Sequence, residues 1–217
     1  MTKHRIAAVA ASIALALAAL AAAGCGNDDE STTTAAEAGM ESVDAAFLDS
    51  MVPHHTAAIE MAEVAQQEAE RPEIKQLADE IIAAQSSEID EMNAMHERLV
   101  GGPTEGADHG GMGMDDSMMG MGGDADELAG AEPFDREFID MMIPHHQGAI
   151  VMARMQLANG EDPEVDELAR SIIEAQSMEI EQMNEWREQW YGAPSPAGGM
   201  PAGGGKSMPQ DSMGGSG

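Results

Sequence analysis

The sequence predicts an all-α protein, a four-helix bundle built from two duplicated helical hairpins. Three observations carry that expectation. Apolar residues recur at 3–4 spacing through four long segments, the period of an amphipathic helix. Pro and Gly fall mostly between those segments or at their ends, with Pro53 and Pro144 inside the first helix of each copy. The second pair of segments also repeats the first without an insertion. Phe47 stands 91 positions before Phe138, and the same offset aligns His54-His55 with His145-His146, Pro72 with Pro163, and Asn93 with Asn184. A gapless repeat of that length signals duplicated structure.

Residues 1–24 read as an export signal: Lys3 and Arg5 precede an Ala/Leu-rich apolar run. Cys25, the only Cys in the chain, stands where a bacterial lipoprotein carries its lipid. The box before it, Ala22-Ala23-Gly24, is imperfect, since its large aliphatic residue, Leu20, lies too far upstream. An uncleaved anchor and a plain secreted protein are the alternatives. All three put the rest of the chain outside the cytoplasm, at a bacterial cell surface or periplasmic face. Residues 25–42 are small and polar and read as a tether.

The first repeat, 43–100, reads as two helices. The first runs from about Val43 to Glu70, with the stripe Phe47, Met51, His54/His55, Ala58, Met61/Ala62, Ala65. Pro53, and Pro144 in the second copy, predict a kink or break just before the His pair. The second helix opens at Pro72, a residue favoured in a first helical turn. Its stripe is Ile74, Leu77, Ile81, Gln85, Glu88, Met92, Met95, Leu99. The linker, 101–133, has a Gly- and Met-rich centre without helical period and reads as a mobile loop. In the second repeat, 134–191, helices are expected at Phe134–Asn159 and Pro163–Tyr191, with Asp162 as N-cap and Gly192 as the stop. The Gly/Pro/Ser-rich tail, 192–217, reads as disordered.

Composition narrows the function. Asp+Glu is 40 against 10 Lys+Arg, a formal charge of −30. Nucleic-acid binding needs clustered Lys and Arg and is excluded as a class. A charge of this sign draws cations towards the chain. Met is 20 of 217 residues, far above ordinary usage, which points to thioether chemistry or a soft core.

The chemistry-bearing groups recur in both copies. Gln85, Glu88 and Met92 continue an apolar stripe, as do Gln176, Glu179 and Met183. A carboxylate there needs compensation. The expected partners are His54/His55 and His145/His146, through hydrogen bonds or a shared metal. Neighbouring residues on a helix diverge by about 100°, so one His of each pair is expected in the core and the other at the periphery. With Met51 and Met142, these groups form the ligand set of a soft or borderline ion, copper above all, with silver as a substitute. A ferritin-type di-iron centre needs Glu-x-x-His, whereas Glu88 is followed at that spacing by Glu91 and Glu179 by Gln182. His54, His55 and Glu88 could imitate a zinc site, but the abundance of Met argues against it. His109, Met112, Met114, Met118, Met119 and Met121 form a second, looser set in the linker. His96, matched by Arg187 in the second copy, is expected at the surface.

The phrases FLDSMVPHHTAAIEMA and FIDMMIPHHQGAIVMA, followed by IIAAQSSEIDEMN and IIEAQSMEIEQMN, resemble the domain of unknown function 305 family. The resemblance covers about residues 43–100 and 134–191. It implies a ferritin-like helical bundle and export, in a family that includes periplasmic copper-binding members tied to copper tolerance. The family's characteristic positions fall on Met51, His54, His55, Gln85, Glu88 and Met92, and on Met142, His145, His146, Gln176, Glu179 and Met183. The expectation is therefore a membrane-anchored copper-binding lipoprotein acting in capture, tolerance or transfer to a partner protein, by binding and exchange rather than turnover. A metal-free interaction module and a metal-dependent oxidase are its rivals.

Overall fold

A computed structural model describes residues 42–102, 104, 114, 119–123 and 125–201. Every regular element among them is helical: α1 (Val43–Glu68), α2 (Pro72–Val100), α3 (Ala125–Leu128), α4 (Phe134–Asn159) and α5 (Pro163–Tyr191). The expected all-α bundle of two hairpins is what the chain forms. None of the described helices is long and apolar enough to cross a membrane.

Local signals act where the sequence places them. Asp162 caps α5, its carboxylate accepting from the N–H groups of Glu164 and Val165. Gly101 and Gly192 end α2 and α5 in the left-handed conformation, at φ 87° and 84°. There glycine carries no Cβ penalty. Pro53 and Pro144 do not break their helices, since α1 and α4 run on through them. Each proline leaves one carbonyl without its helical donor, and the packing of the helix on both sides outweighs that loss.

α1 packs on α2 and α4 on α5, while α1 and α4 join the hairpins. The apolar interior falls into two half-cores. One gathers the N-terminal half of α1, the C-terminal half of α2 and facing halves of α4 and α5, around Phe47, Met51, Met92, Met152 and Ile172. The other gathers the opposite halves, around Met61, Ile81, Phe138, Met142 and Met183. The buried His pairs lie along α1 and α4 where the two half-cores meet.

The hairpins close one another. Asp44, at the start of α1, accepts from Glu161 N, Asp162 N and Gln156 Nε2 in the second repeat, at 3.1, 3.2 and 2.6 Å. Asp135, its counterpart in α4, accepts from Glu70 N and Arg71 N in the first repeat, at 3.0 and 3.1 Å. Each first helix thus caps the turn of the other hairpin, as a twofold relation demands. Both carboxylates are buried. Each is balanced by the donors of the turn it holds.

Two expectations about the connecting segments are corrected. The linker is not a free loop where it is described: Met114 and Met119 are buried, and α3 rests against α1 and α4. The tail as far as Pro201 is laid along the second repeat. Ser195 N bonds Asn184 Oδ1, the Gly198 carbonyl accepts from Asn184 Nδ2, and the Pro201 carbonyl accepts from Arg154. Thr104 takes the same place on Asn93 in the first copy, so the repeat continues past the helix ends. Asn and Arg side chains supply there the backbone partners that a Gly-rich segment cannot supply itself.

Candidate metal centre

All four imidazoles are buried, His54, His55 and His146 fully and His145 to within 1%. The expected division into one core and one peripheral His per pair is therefore wrong. The rings of a pair do diverge, with centroids 6.3 and 6.4 Å apart. Both directions are interior because α1 and α4 face each other on one side and their own hairpin partners on the other. His54 meets His145 across the α1–α4 contact, centroid to centroid at 3.8 Å with ring planes tilted by 41°. His55 turns to α2, its Nε2 2.7 Å from Glu88 Oε2, and His146 turns to α5, its Nε2 2.6 Å from Glu179 Oε2.

These contacts fix the tautomers. A carboxylate only accepts, so His55 and His146 donate from Nε2 and their lone pairs lie on Nδ1. His54 Nε2 likewise donates to the Met119 carbonyl at 2.9 Å. A carboxylate or carbonyl behind one ring nitrogen, leaving the other as a Lewis base, is the outer-shell arrangement of a metal-binding His. Glu88 and Glu179 are thus placed as orienting groups for imidazole.

Several atoms of this layer lack a hydrogen-bond partner among the described residues. They are Nδ1 of His55 and of His146, and Oε1 of Gln85 and of Gln176. Gln85 and Gln176 are buried as expected, yet neither is hydrogen-bonded to a His. A buried unpaired polar atom costs about 1–3 kcal/mol, so these atoms are where a bound water or ion would find partners. Burial holds the His145 imidazolium pKa well below its ordinary value, and the neighbouring His54, His146 and His55 push it the same way. His145 is therefore a neutral base at physiological pH, the form that ligates metal.

The thioethers complete the set. Met51, Met92, Met142 and Met183 are fully buried, the first two in one half-core and the last two in the other. Met114 and Met119 from the linker join Met51 and Met92, with Met121 packed against them. The linker methionines described here therefore extend the core set and are not a separate solvated cluster. His109, Met112, Met118 and Cys25 lie outside the described residues. Among the described residues no three His, Cys, Asp or Glu side chains surround one point. Imidazole together with thioether is a donor set for a soft or borderline ion, which favours Cu(I) or Ag(I) over zinc or a di-iron pair.

Sequence reasoning missed how the linker enters the layer. A Cβ on Gly148 would stand 1.8 Å from the Met119 carbonyl oxygen, and one on Gly120 would stand 2.0 Å from the Pro144 carbonyl oxygen. Two glycines thus let the linker backbone lie directly on α4 beside His145. The readable signal is that Gly148 faces Ala57 in the repeat alignment. His96 does not lie at the surface either. It is buried, with Nε2 3.1 Å from Asp49 Oδ2 and Nδ1 2.6 Å from the Gly102 carbonyl. Arg187 makes the matching contacts to Asp140 and the Ala193 carbonyl. His96 thus fills the place of an arginine that ties the helix end to α1.

The sequence model of the domain of unknown function 305 family matches residues 44–187 and 135–216. The chain belongs to this family. Among solved structures of its relatives, the Cu(II)-bound form of CopM is 45% identical, covers 68% of this chain and 97% of CopM, and superposes with a TM-score of 0.59. The Ag-bound form obtained by soaking is 44% identical, with coverages of 68% and 96% and a TM-score of 0.58. A putative secreted family member from Streptomyces coelicolor is 27% identical, with coverages of 71% and 96% and a TM-score of 0.63. A curated relative, Uncharacterized protein L153 of Acanthamoeba polyphaga mimivirus, is 44% identical over 52 residues, which are 24% of this chain. The match spans only 34% of that relative's length.

Proposed function

We propose that this protein binds copper, with silver as a substitute, outside the cytoplasm, and acts in metal capture, tolerance or transfer to a partner protein. The observation that carries the reading is the equatorial imidazole layer: four buried His, three with tautomers set by an acceptor, and His145 held neutral by burial. Buried thioethers lie on both sides. CopM, 44% identical to this chain, has been captured with Cu(I) and, at 45% identity, with Cu(II). Imidazole serves both oxidation states and thioether the lower one. The chemistry is reversible ligation rather than turnover. The apolar run before Cys25 and the family's secreted member support export. Cys25 is the proposed lipidation site, and a Cys25→Ser protein should leave the membrane fraction.

The test is equilibrium dialysis of the full chain against Cu(I) or Ag(I), followed by metal analysis. Replacing His54, His55, His145 and His146 with Gln should abolish the tight class of bound metal. His145→Gln alone, whose helicity is checked by circular dichroism, should weaken it. Undiminished binding in both variants would return the bundle to a metal-free role in protein interaction.

A further inference from the structure

A surface groove of about 440 Å³ lies between α2 and α5, away from the α1–α4 contact. Glu73 and Glu80 of α2 and Met178, Glu179 and Trp186 of α5 line it. No Lys or Arg is among its lining residues. Glu179 belongs to both groove and interior, because its carboxylate also holds His146 Nε2. Met178 is 59% exposed, in a chain whose other described methionines are mostly buried or half-buried. Exposing a thioether leaves apolar surface in water. At the position related by the repeat, Ser87 replaces Met178 and Ser171 replaces Glu80, so the groove has no twin on the other side of the bundle.

We propose that this groove is a capture site and entry port for a soft monovalent cation, Ag(I) or Cu(I), with the Met178 thioether as first ligand. The inference rests on the copper-binding reading of the imidazole layer and adds a route to it. The carboxylates raise the local cation concentration. The thioether selects a soft ion from the harder ones that the same charge attracts. Glu179 then stands between the captured ion and His146. Trp186 offers one indole face at the groove, its ring stacked on Trp190 at 5.4 Å. Arg71 covers Trp190, 4.2 Å from its ring centroid. A cation on the groove therefore meets Trp186.

The chain's two tryptophans are Trp186, which lines the groove, and Trp190, stacked on it; quenching that persists when His54, His55, His145 and His146 are all Gln is groove occupancy. Silver ion is mixed rapidly with the full chain, and metal analysis after timed desalting gives loading of the His layer. Wild type should quench before it loads. Met178→Ser, which installs the first copy's residue, should slow both by about tenfold, the lower end of the range over which entry rates respond to a site's own groups. Glu73→Gln with Glu80→Gln should slow entry and flatten its salt dependence. If wild type loads silver in a His-dependent way and neither variant changes the rate, the port is overturned and the imidazole site stands. If wild type shows no His-dependent loading, both fall.

Discussion

The two half-cores descend from one repeat, yet they differ at the positions that matter to a soft ion. The half-core around Met51 and Met92 also holds Met95, Met114, Met119 and Met152. In the half-core around Met142 and Met183, Trp186 stands where the first copy has Met95, and Trp190 where it has Leu99. One end has gained thioethers from the linker, and the other has gained stacked indoles and a guanidinium. The His pairs and their partners Glu88 and Glu179 are identical in both copies. The imidazole layer is thus the shared function, and the ends are where the copies specialised.

The largest effect that separates the copies is expected at the reciprocal caps. Asp44→Ala strands two backbone N–H groups and the Gln156 amide, and should cost about 3 kcal/mol. Asp135→Ala strands two N–H groups and should cost about 2 kcal/mol. Urea unfolding measures both, and a larger loss at Asp135 would show that its ion pair with Arg71 outweighs the Gln156 contact. Next come the orienting carboxylates. Glu88→Gln and Glu179→Gln should each weaken Cu(I) or Ag(I) binding by about 10–100-fold, as loss of an outer-shell partner does. A markedly larger loss in one copy, read by competition titration, would tell which half holds the tighter ion.

Acid should act through His145. Its folded pKa is depressed, so below the unfolded value of about 6.5 the unfolded chain binds the extra proton and the folded chain does not. The contribution is therefore fully present above that value. It shrinks as pH falls, at up to about 1.4 kcal/mol per unit, until the folded pKa is reached. Comparing His145→Gln with wild type between pH 7.5 and 5 isolates the slope, and an unchanged slope would break the assignment. The smallest expected contrast is between Gly148→Ala and Ala57→Gly. The first gains helix propensity but presses on the Met119 carbonyl, for a net loss of about 1 kcal/mol. The second loses about 0.5–1 kcal/mol from propensity alone. Only the first should loosen the linker, which proteolysis of residues 101–133 would detect.

Much of this was legible in the sequence for a physical reason: helical period and a gapless repeat are local patterns. They gave the four long helices, the Asp162 cap and the His–Glu pairing. What stayed hidden depends on contacts between distant segments. The burial of both His in each pair follows from α1 lying against α4 and α2 at once. The Gly-rich linker reads as loose because glycine lacks side-chain contacts, yet here that lack allows backbone to touch backbone at Gly120 and Gly148. His96 reads as a surface residue until its counterpart, Arg187, is seen to pair with an aspartate in the same fold position.

The reciprocal caps also bear on how such a chain could arise. A single hairpin leaves its turn uncapped and its apolar stripe bare, so one repeat on its own would be closed only by a second copy, as in a symmetric pair. In such a pair every substitution occurs twice. A glycine that admits a strap on one side would admit it on both, and a methionine gained at one end would be gained at the other. Joining the copies in one polypeptide removed that constraint. Gly148 against Ala57, Trp186 against Met95 and Met178 against Ser87 are differences open only to a fused chain. With them the two ends of the molecule differ in chemistry, one rich in thioether and the other in stacked indole.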